Sequence, residues 1–160
     1  MIRDAALHDI PTKAELLGGL APHEEVEHDF RVDASQLSAD LFSDRPNAEV
    51  IVAEETDSNA STSVVGFALF FPTYSTLVGR RCLHLADLFV LPEHRGRGHG
   101  RALLSRLAGI ALERGWARID WVVLDSNATA IGFYRSLGAI AMDDRTTFRV
   151  SGEALRLLAQ

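Results

Sequence analysis

Between residues 95 and 101 the chain reads Arg-Gly-Arg-Gly-His-Gly-Arg, and a run of that kind suits the holding of an anion. Gly96, Gly98 and Gly100 remove the side chains that would block a close approach of backbone to phosphate, while Arg95, Arg97 and Arg101 can add charge-assisted hydrogen bonds. Just upstream, Leu83 to Val90 reads as a strand ending at Leu91-Pro92. Just downstream, Leu103, Leu104, Leu107, Ala108 and Ala111 recur at helical spacing in a helix from about Gly98 to Arg114, which Gly115 stops. A strand, a glycine loop and an immediate helix place free backbone N–H groups and a positive helix end around an anion. Other phosphate motifs fit badly: no Gly-Lys-Ser/Thr follows, and Gly-x-Gly-x-Gly has the wrong spacing for a dinucleotide fingerprint. An arginine–glycine RNA-binding tail is excluded by the flanking strand and helix. The plainer reading of the same residues is a tight turn with solvated arginines.

Few other residues carry chemistry of their own. Cys82 is the only cysteine, so neither a disulfide framework nor a thiolate metal cluster is available, and it reads as a core side chain. The run His23-Glu24-Glu25-Val26-Glu27-His28 resembles a zinc helix, but its histidines are five apart instead of four and would point to different faces. No metal is expected. A formal charge of −6 argues against a nucleic-acid partner held by a broad basic face and suits a cationic substrate.

The elements that must position these residues fit one α/β domain spanning 1–160, ordinary in size and 47% hydrophobic. No stretch approaches about 18 apolar residues, and no basic start leads into an unbroken apolar run. A soluble cytoplasmic protein with no membrane partner is the expectation. Ile2-Arg3 reads as a first strand, and Asp9 as the N-cap of a helix with Pro11 in its first turn, ending near Gly18-Gly19. Asp33-Ala34-Ser35-Gln36 has the form of a capping box for a second helix through Phe42, with Leu37 and Leu41 on one face. Ala48 to Glu54 and Val64 to Tyr74 are β-rich, and the polar stretch from Glu55 to Ser63 reads as a mobile hairpin loop, the weakest place to look for function. Further along, Ile119 to Val123 reads as a strand, Asn127 to Leu137 as a helix stopped by Gly138, and Thr146 to Val150 as a late strand before a terminal helix.

Arg95-x-x-Gly98-x-Gly100 after Asp87-Leu88-Phe89-Val90 resembles the acetyl-CoA motif of the GNAT superfamily of N-acetyltransferases. Asn127-Ala128-x-Ala130-Ile131-x-Phe133-Tyr134-x-x-Leu137-Gly138-Ala139 resembles that superfamily's next helix. Upstream, Ala48-Glu49-Val50, the run Val65-Gly66-Phe67-Ala68-Leu69-Phe70-Phe71, and Tyr74-Ser75-Thr76 are similar to the diamine and spermidine/spermine acetyltransferase branch. The resemblance implies a mixed, mostly antiparallel central sheet flanked by helices and splayed between the two strands that bracket the acetyl-CoA arm. It also implies acetyl transfer to a primary amine of a small cationic substrate in a ternary complex.

Residue by residue, the resemblance implies that backbone N–H groups from Arg97 through His99 and Gly100 to Arg101 hold the pyrophosphate, with Gly96 in the same loop and Arg95 at the motif's first position. The pantetheine arm would run beside Leu88, Phe89 and Val90, with a backbone N–H near Phe89 polarising the thioester carbonyl. Asn127 and Ala130 would meet the cofactor arm, although Asn127 reads equally as a helix N-cap. Tyr134 matches the phenol that protonates the departing thiolate, and also reads as a core aromatic beside Phe133. Asp87 is the candidate acid for activating the amine. Glu24 and Glu27, with His23, match positions lining the amine pocket, near Glu25 and Asp29; each acid reads equally as solvated surface. The polyamine enzymes usually carry Glu-Asp where this chain has Ala86-Asp87, and Tyr-Glu where it has His23-Glu24. Ala86 keeps a non-catalytic acetyl-CoA-binding module as the alternative. Relatives are commonly homodimers, and a homodimer is expected here.

Overall fold

The computed structural model of the chain describes residues 1–9, 34–144 and 146–160. Its centre is a five-stranded sheet in the order β1 (Ile2–Asp4), β2 (Glu49–Thr56), β3 (Thr62–Ser75), β4 (Arg80–Val90) and β5 (Ile119–Asp120). The first three junctions are antiparallel, and β4 pairs with β5 in parallel. A parallel pair needs a long crossover; here it is a helix, α2 (His99–Glu113), whereas α1 (Ala34–Phe42) precedes β2 and α3 (Ala128–Ser136) and α4 (Gly152–Leu158) follow β5. The mixed, mostly antiparallel sheet flanked by helices is therefore the architecture. The chain divides into two compact units, Met1–Leu124 and Asp125–Gln160. Among the described residues no helix is long and apolar enough to cross a membrane.

The alternation of side chains explains why β2, β3 and β4 are apolar at nearly every position. Val50 and Val52 share a face with Phe67 and Phe89, and with Leu41 of α1 they form one buried cluster. Ile51, Ala53 and Ala68 point to the opposite face and are also buried. There α2 packs across β4, β2 and β3 and contributes Leu103, Leu107, Ile110 and Ala111. A sheet covered on both faces needs continuous apolar runs rather than strict alternation. Gly66 permits the β3–β4 approach, since an added Cβ would lie 2.6 Å from the Phe89 carbonyl oxygen. Strand β2 grips α2 at its C-terminal end, where Arg114 donates through Nη2 to Glu49 at 2.7 Å and through Nη1 to the other carboxylate oxygen.

Several local expectations change. Strand β2 runs on through Glu55 to Thr56, so the hairpin loop shrinks to residues 57–61, where Asp57 accepts from the Asn59 and Ser61 N–H groups. The Ile119 to Val123 run pairs only at Ile119–Asp120. Thr146 to Val150 forms no strand, and Phe148 is 90% exposed; a β-rich run becomes a strand only where a neighbouring strand accepts its hydrogen bonds. Asp9 closes a short 3-10 turn, Leu7–Asp9. Its buried carboxylate accepts from both Nη atoms of Arg3 and from the Ala6 N–H, and the Arg3 guanidinium holds it well below the usual range, at about 2. The helix expected from Pro11, the Asp33 cap, and the acidic and histidine positions 23–29 lie outside the described residues.

Candidate active site

The site is built where β4 stops. The β4–β5 ladder pairs Leu83 with Ile119 and His84 with Asp120 and goes no further, so from Leu85 onward β4 has no strand on that side among the described residues. The register with β3 slips at the same place: Phe70 faces Leu85 and Leu69 faces Asp87, which leaves Ala86 as the extra, exposed residue of a β-bulge. Bulges bend a strand and re-aim its side chains. Asp87, half-buried, follows immediately.

The ladder also decides which backbone groups face the open edge. The Leu91 N–H donates to Val65, and antiparallel pairing alternates, so with this register Phe89 exchanges its bonds with Phe67 while Leu88 and Val90 turn their N–H groups outward. The backbone donors adjoining Phe89, and not its own N–H, are therefore presented to that edge. Phe89 instead buries its ring 6.2 Å from that of Phe67.

After β4 the chain makes a 3-10 turn, Pro92–His94, and then the glycine loop. Gly96 (φ 74°) and Gly98 (φ 89°) both sit in the left-handed region. Gly98 is the N-cap of α2, without a side-chain cap, and a Cβ there would meet nothing within 4 Å. The first intrahelical bond runs from the Ala102 N–H to the Gly98 carbonyl at 2.9 Å. The N–H groups of Gly98, His99, Gly100 and Arg101 thus precede the helical ladder, beside space that only glycine leaves open. This geometry fits a pyrophosphate, with the positive helix end adding to the attraction.

The arginines of the loop divide their tasks. Arg95 folds back, its Nε donating to the Val90 carbonyl at 2.9 Å and its guanidinium lying 5.7 Å from the Phe89 ring centre. Arg97 Nη1 donates to Glu55 Oε1 at 2.8 Å. Arg101 is exposed and has no ion pair among the described residues. Glu55 also meets His94 Nδ1 through Oε2 at 2.5 Å, and its carboxyl is held far down, at about 2, first by the His94 hydrogen bond and then by Arg97. Hence β2 grips α2 at both ends, through Glu49 and through Glu55. Sequence reasoning missed Glu55 and His94, because the partners of Glu55 lie 39 and 42 residues away along the chain.

In the second unit, Asn127 is the N-cap of α3, its side chain accepting from the Ala130 N–H at 3.1 Å. Tyr134 lies on the same helix with its ring 5.3 Å from that of Phe133. It is half-buried, and burial pushes its phenol above the ordinary value of 10.0. His23, Glu24 and Glu27 lie outside the described residues.

Residues 20–139 match the acetyltransferase (GNAT) family. A thialysine N-epsilon-acetyltransferase of Mus musculus is 33% identical over 164 aligned positions, spanning 99% of this chain and 96% of that one. An L-ornithine N5-acetyltransferase of Arabidopsis thaliana is 29% identical over 136 positions, 85% of this chain and 58% of that one. An integron cassette protein from the mobile metagenome of V. cholerae superposes with a TM-score of 0.76 at 28% identity, covering 100% of this chain and 97% of that one. With the open helix start at the end of β4 and matches of this extent, the chain belongs to the GNAT family and is an acetyl-CoA-dependent N-acetyltransferase.

Proposed function

We propose that residues 1–160 act as one acetyltransferase domain that moves acetyl to the terminal primary amine of a small cationic substrate, a diamine, polyamine or lysine-like amine, by direct transfer in a ternary complex. The observation that carries this reading is the uncapped start of α2, four N–H groups ahead of the ladder behind a left-handed Gly98. The family match runs through the junction between the two units, which supports treating them as one domain. Two relatives are named for terminal side-chain amines, N-epsilon of thialysine and N5 of ornithine, and the net charge of −6 suits a cation.

Bound at α2, acetyl-CoA supplies the acyl group as an activated thioester. The N–H groups of residues 98–101 and the Arg101 guanidinium hold its pyrophosphate, and the outward N–H groups of Leu88 and Val90 line its arm and orient the carbonyl. Asn127 and Ala130 shape the cofactor side of α3. An ammonium has no lone pair, so a proton must leave the amine before attack; the Asp87 carboxylate takes it, directly or through water. Tyr134 returns a proton to the departing thiolate. A phenol raised above 10 is in the donor form at neutral pH. His23, Glu24 and Glu27 complete the amine pocket, and this reading includes a homodimer in the cytoplasm.

The experiment is a thiol-release assay with acetyl-CoA against diamines, polyamines, lysine analogues and aminoglycosides. The reading expects turnover on diamines or lysine-like amines. Turnover confined to aminoglycosides or to none of these amines would contradict it.

A further inference from the structure

The Glu55 cluster contains more than an ion pair. His94 and His99 stand at the two ends of the glycine loop, one closing the 3-10 turn and the other opening α2, and both imidazoles turn toward the same carboxylate at the end of β2. Glu55 Oε2 is 2.5 Å from His94 Nδ1 and 3.4 Å from His99 Nε2. The donor atoms of all three residues lie within 4.8 Å of one another. His99 Nε2 is buried and has no hydrogen-bond partner among the described residues, a costly state for an imidazole nitrogen unless something else meets it. The His94 hydrogen bond and then Arg97 hold the Glu55 carboxyl well below its usual range, and its second oxygen is fixed by Arg97 at 2.8 Å.

We propose that Glu55, His94 and His99 form a binding site for a zinc-class divalent cation, which pins both ends of the pyrophosphate loop to β2. Two imidazoles and a carboxylate are a donor set that zinc takes with a water in the fourth position. Around a tetrahedral ion with bonds of about 2.0–2.1 Å, donor atoms stand about 3.3 Å apart. The Glu55–His99 separation already has that value, and His94 has less than about 1 Å to withdraw. Arg97 on the free carboxylate oxygen is the outer partner that orients a ligating carboxylate. On uptake, metal–nitrogen bonds form at His94 Nδ1 and His99 Nε2 and a metal–oxygen bond forms at Glu55 Oε2, while the proton that His94 Nδ1 shares with Glu55 moves to its Nε2, so that each imidazole binds as a neutral ring. The spacing argument against a zinc helix at His23 and His28 does not touch this site, whose third donor comes from another strand. The proposal does not rest on the acetyl-transfer reading.

The test is isothermal titration of the chelator-stripped full chain with ZnCl₂ and, separately, MgCl₂. One zinc per chain, and no magnesium binding, is the expected result. His94→Ala and His99→Ala should each weaken zinc at least tenfold, whereas His28→Ala should leave it unchanged. If an alanine variant does not fold, His99→Gln and Glu55→Gln serve in its place, with the zinc-induced rise in melting temperature as the second readout. No zinc uptake by the wild type, or uptake undiminished in the His94 and His99 variants, overturns the proposal and leaves a proton-bridged brace.

Discussion

Two helices of this protein begin in opposite ways. Helix α3 begins at Asn127, whose own side chain accepts the Ala130 N–H, so the helix supplies its own anion equivalent. Helix α2 begins at Gly98, left-handed and without a side-chain cap, where an added Cβ would meet nothing within 4 Å among the described residues beyond its chain neighbours. An N-cap side chain stabilises a helix by about 1 kcal/mol, and α2, the best buried of the described helices, forgoes it. In the proposed reading, α2 keeps its donors for a ligand, whereas α3 closes its start and offers the Tyr134 side chain instead.

The largest expected effect breaks that division at its chemical end. Tyr134→Phe keeps the ring beside Phe133 and removes the proton donor, so steady-state turnover should fall by about 10²- to 10⁴-fold while acetyl-CoA affinity, read by titration, is retained. Wild-type turnover with an unchanged pH profile would leave Tyr134 a packing residue.

Next in size is an attempt to make α2 resemble α3. Gly98→Asp brings a carboxylate to the open start, and Asp tolerates the left-handed region better than most residues. Acetyl-CoA affinity should drop by about 100-fold, near 3 kcal/mol, with the far-ultraviolet dichroism unchanged.

The arginines sharpen the comparison further. Arg101→Ala should weaken acetyl-CoA by about 1.5–3 kcal/mol more than it weakens acetyl-pantetheine, which lacks the pyrophosphate. Arg95→Ala should affect the two ligands more evenly, because Arg95 holds the Val90 carbonyl and lies against Phe89. Equal losses for both ligands with Arg101→Ala would place that residue on the bare surface. The smallest effect belongs to α3: Asn127→Ala should cost about 1 kcal/mol, or about 2–4 °C in melting temperature for a chain of this size.

How much of this was legible in the sequence depended on the range of the cause. Helix α2 and its loop were plain because Leu103, Leu104, Leu107 and Ala111 repeat at helical spacing and the glycines mark the turn. Strands β2 to β4 were found because burial on both faces makes them continuously apolar. By contrast, Ile119 to Val123 and Thr146 to Val150 have similar local propensity, yet the first pairs over two residues and the second over none. Strand formation needs a neighbour, and no local pattern reports one. The Ala86 bulge was likewise hidden, since it is a mismatch between β3 and β4 and not a property of either. Glu55 was placed in the hairpin loop, the weakest place to look for function, because its partners are about forty residues away along the chain, although it lies at the end of a strand and stands against the glycine loop itself.

The most direct test of the account is an amide chemical-shift titration of the full chain with acetyl-CoA and, in parallel, acetyl-pantetheine. The amides of Gly98, His99, Gly100 and Arg101 should move strongly with acetyl-CoA and weakly with acetyl-pantetheine, while Leu88 and Val90 respond to both. Unmoved amides at 98–101 under saturating acetyl-CoA would contradict the claim that the open start of α2 holds the cofactor's pyrophosphate.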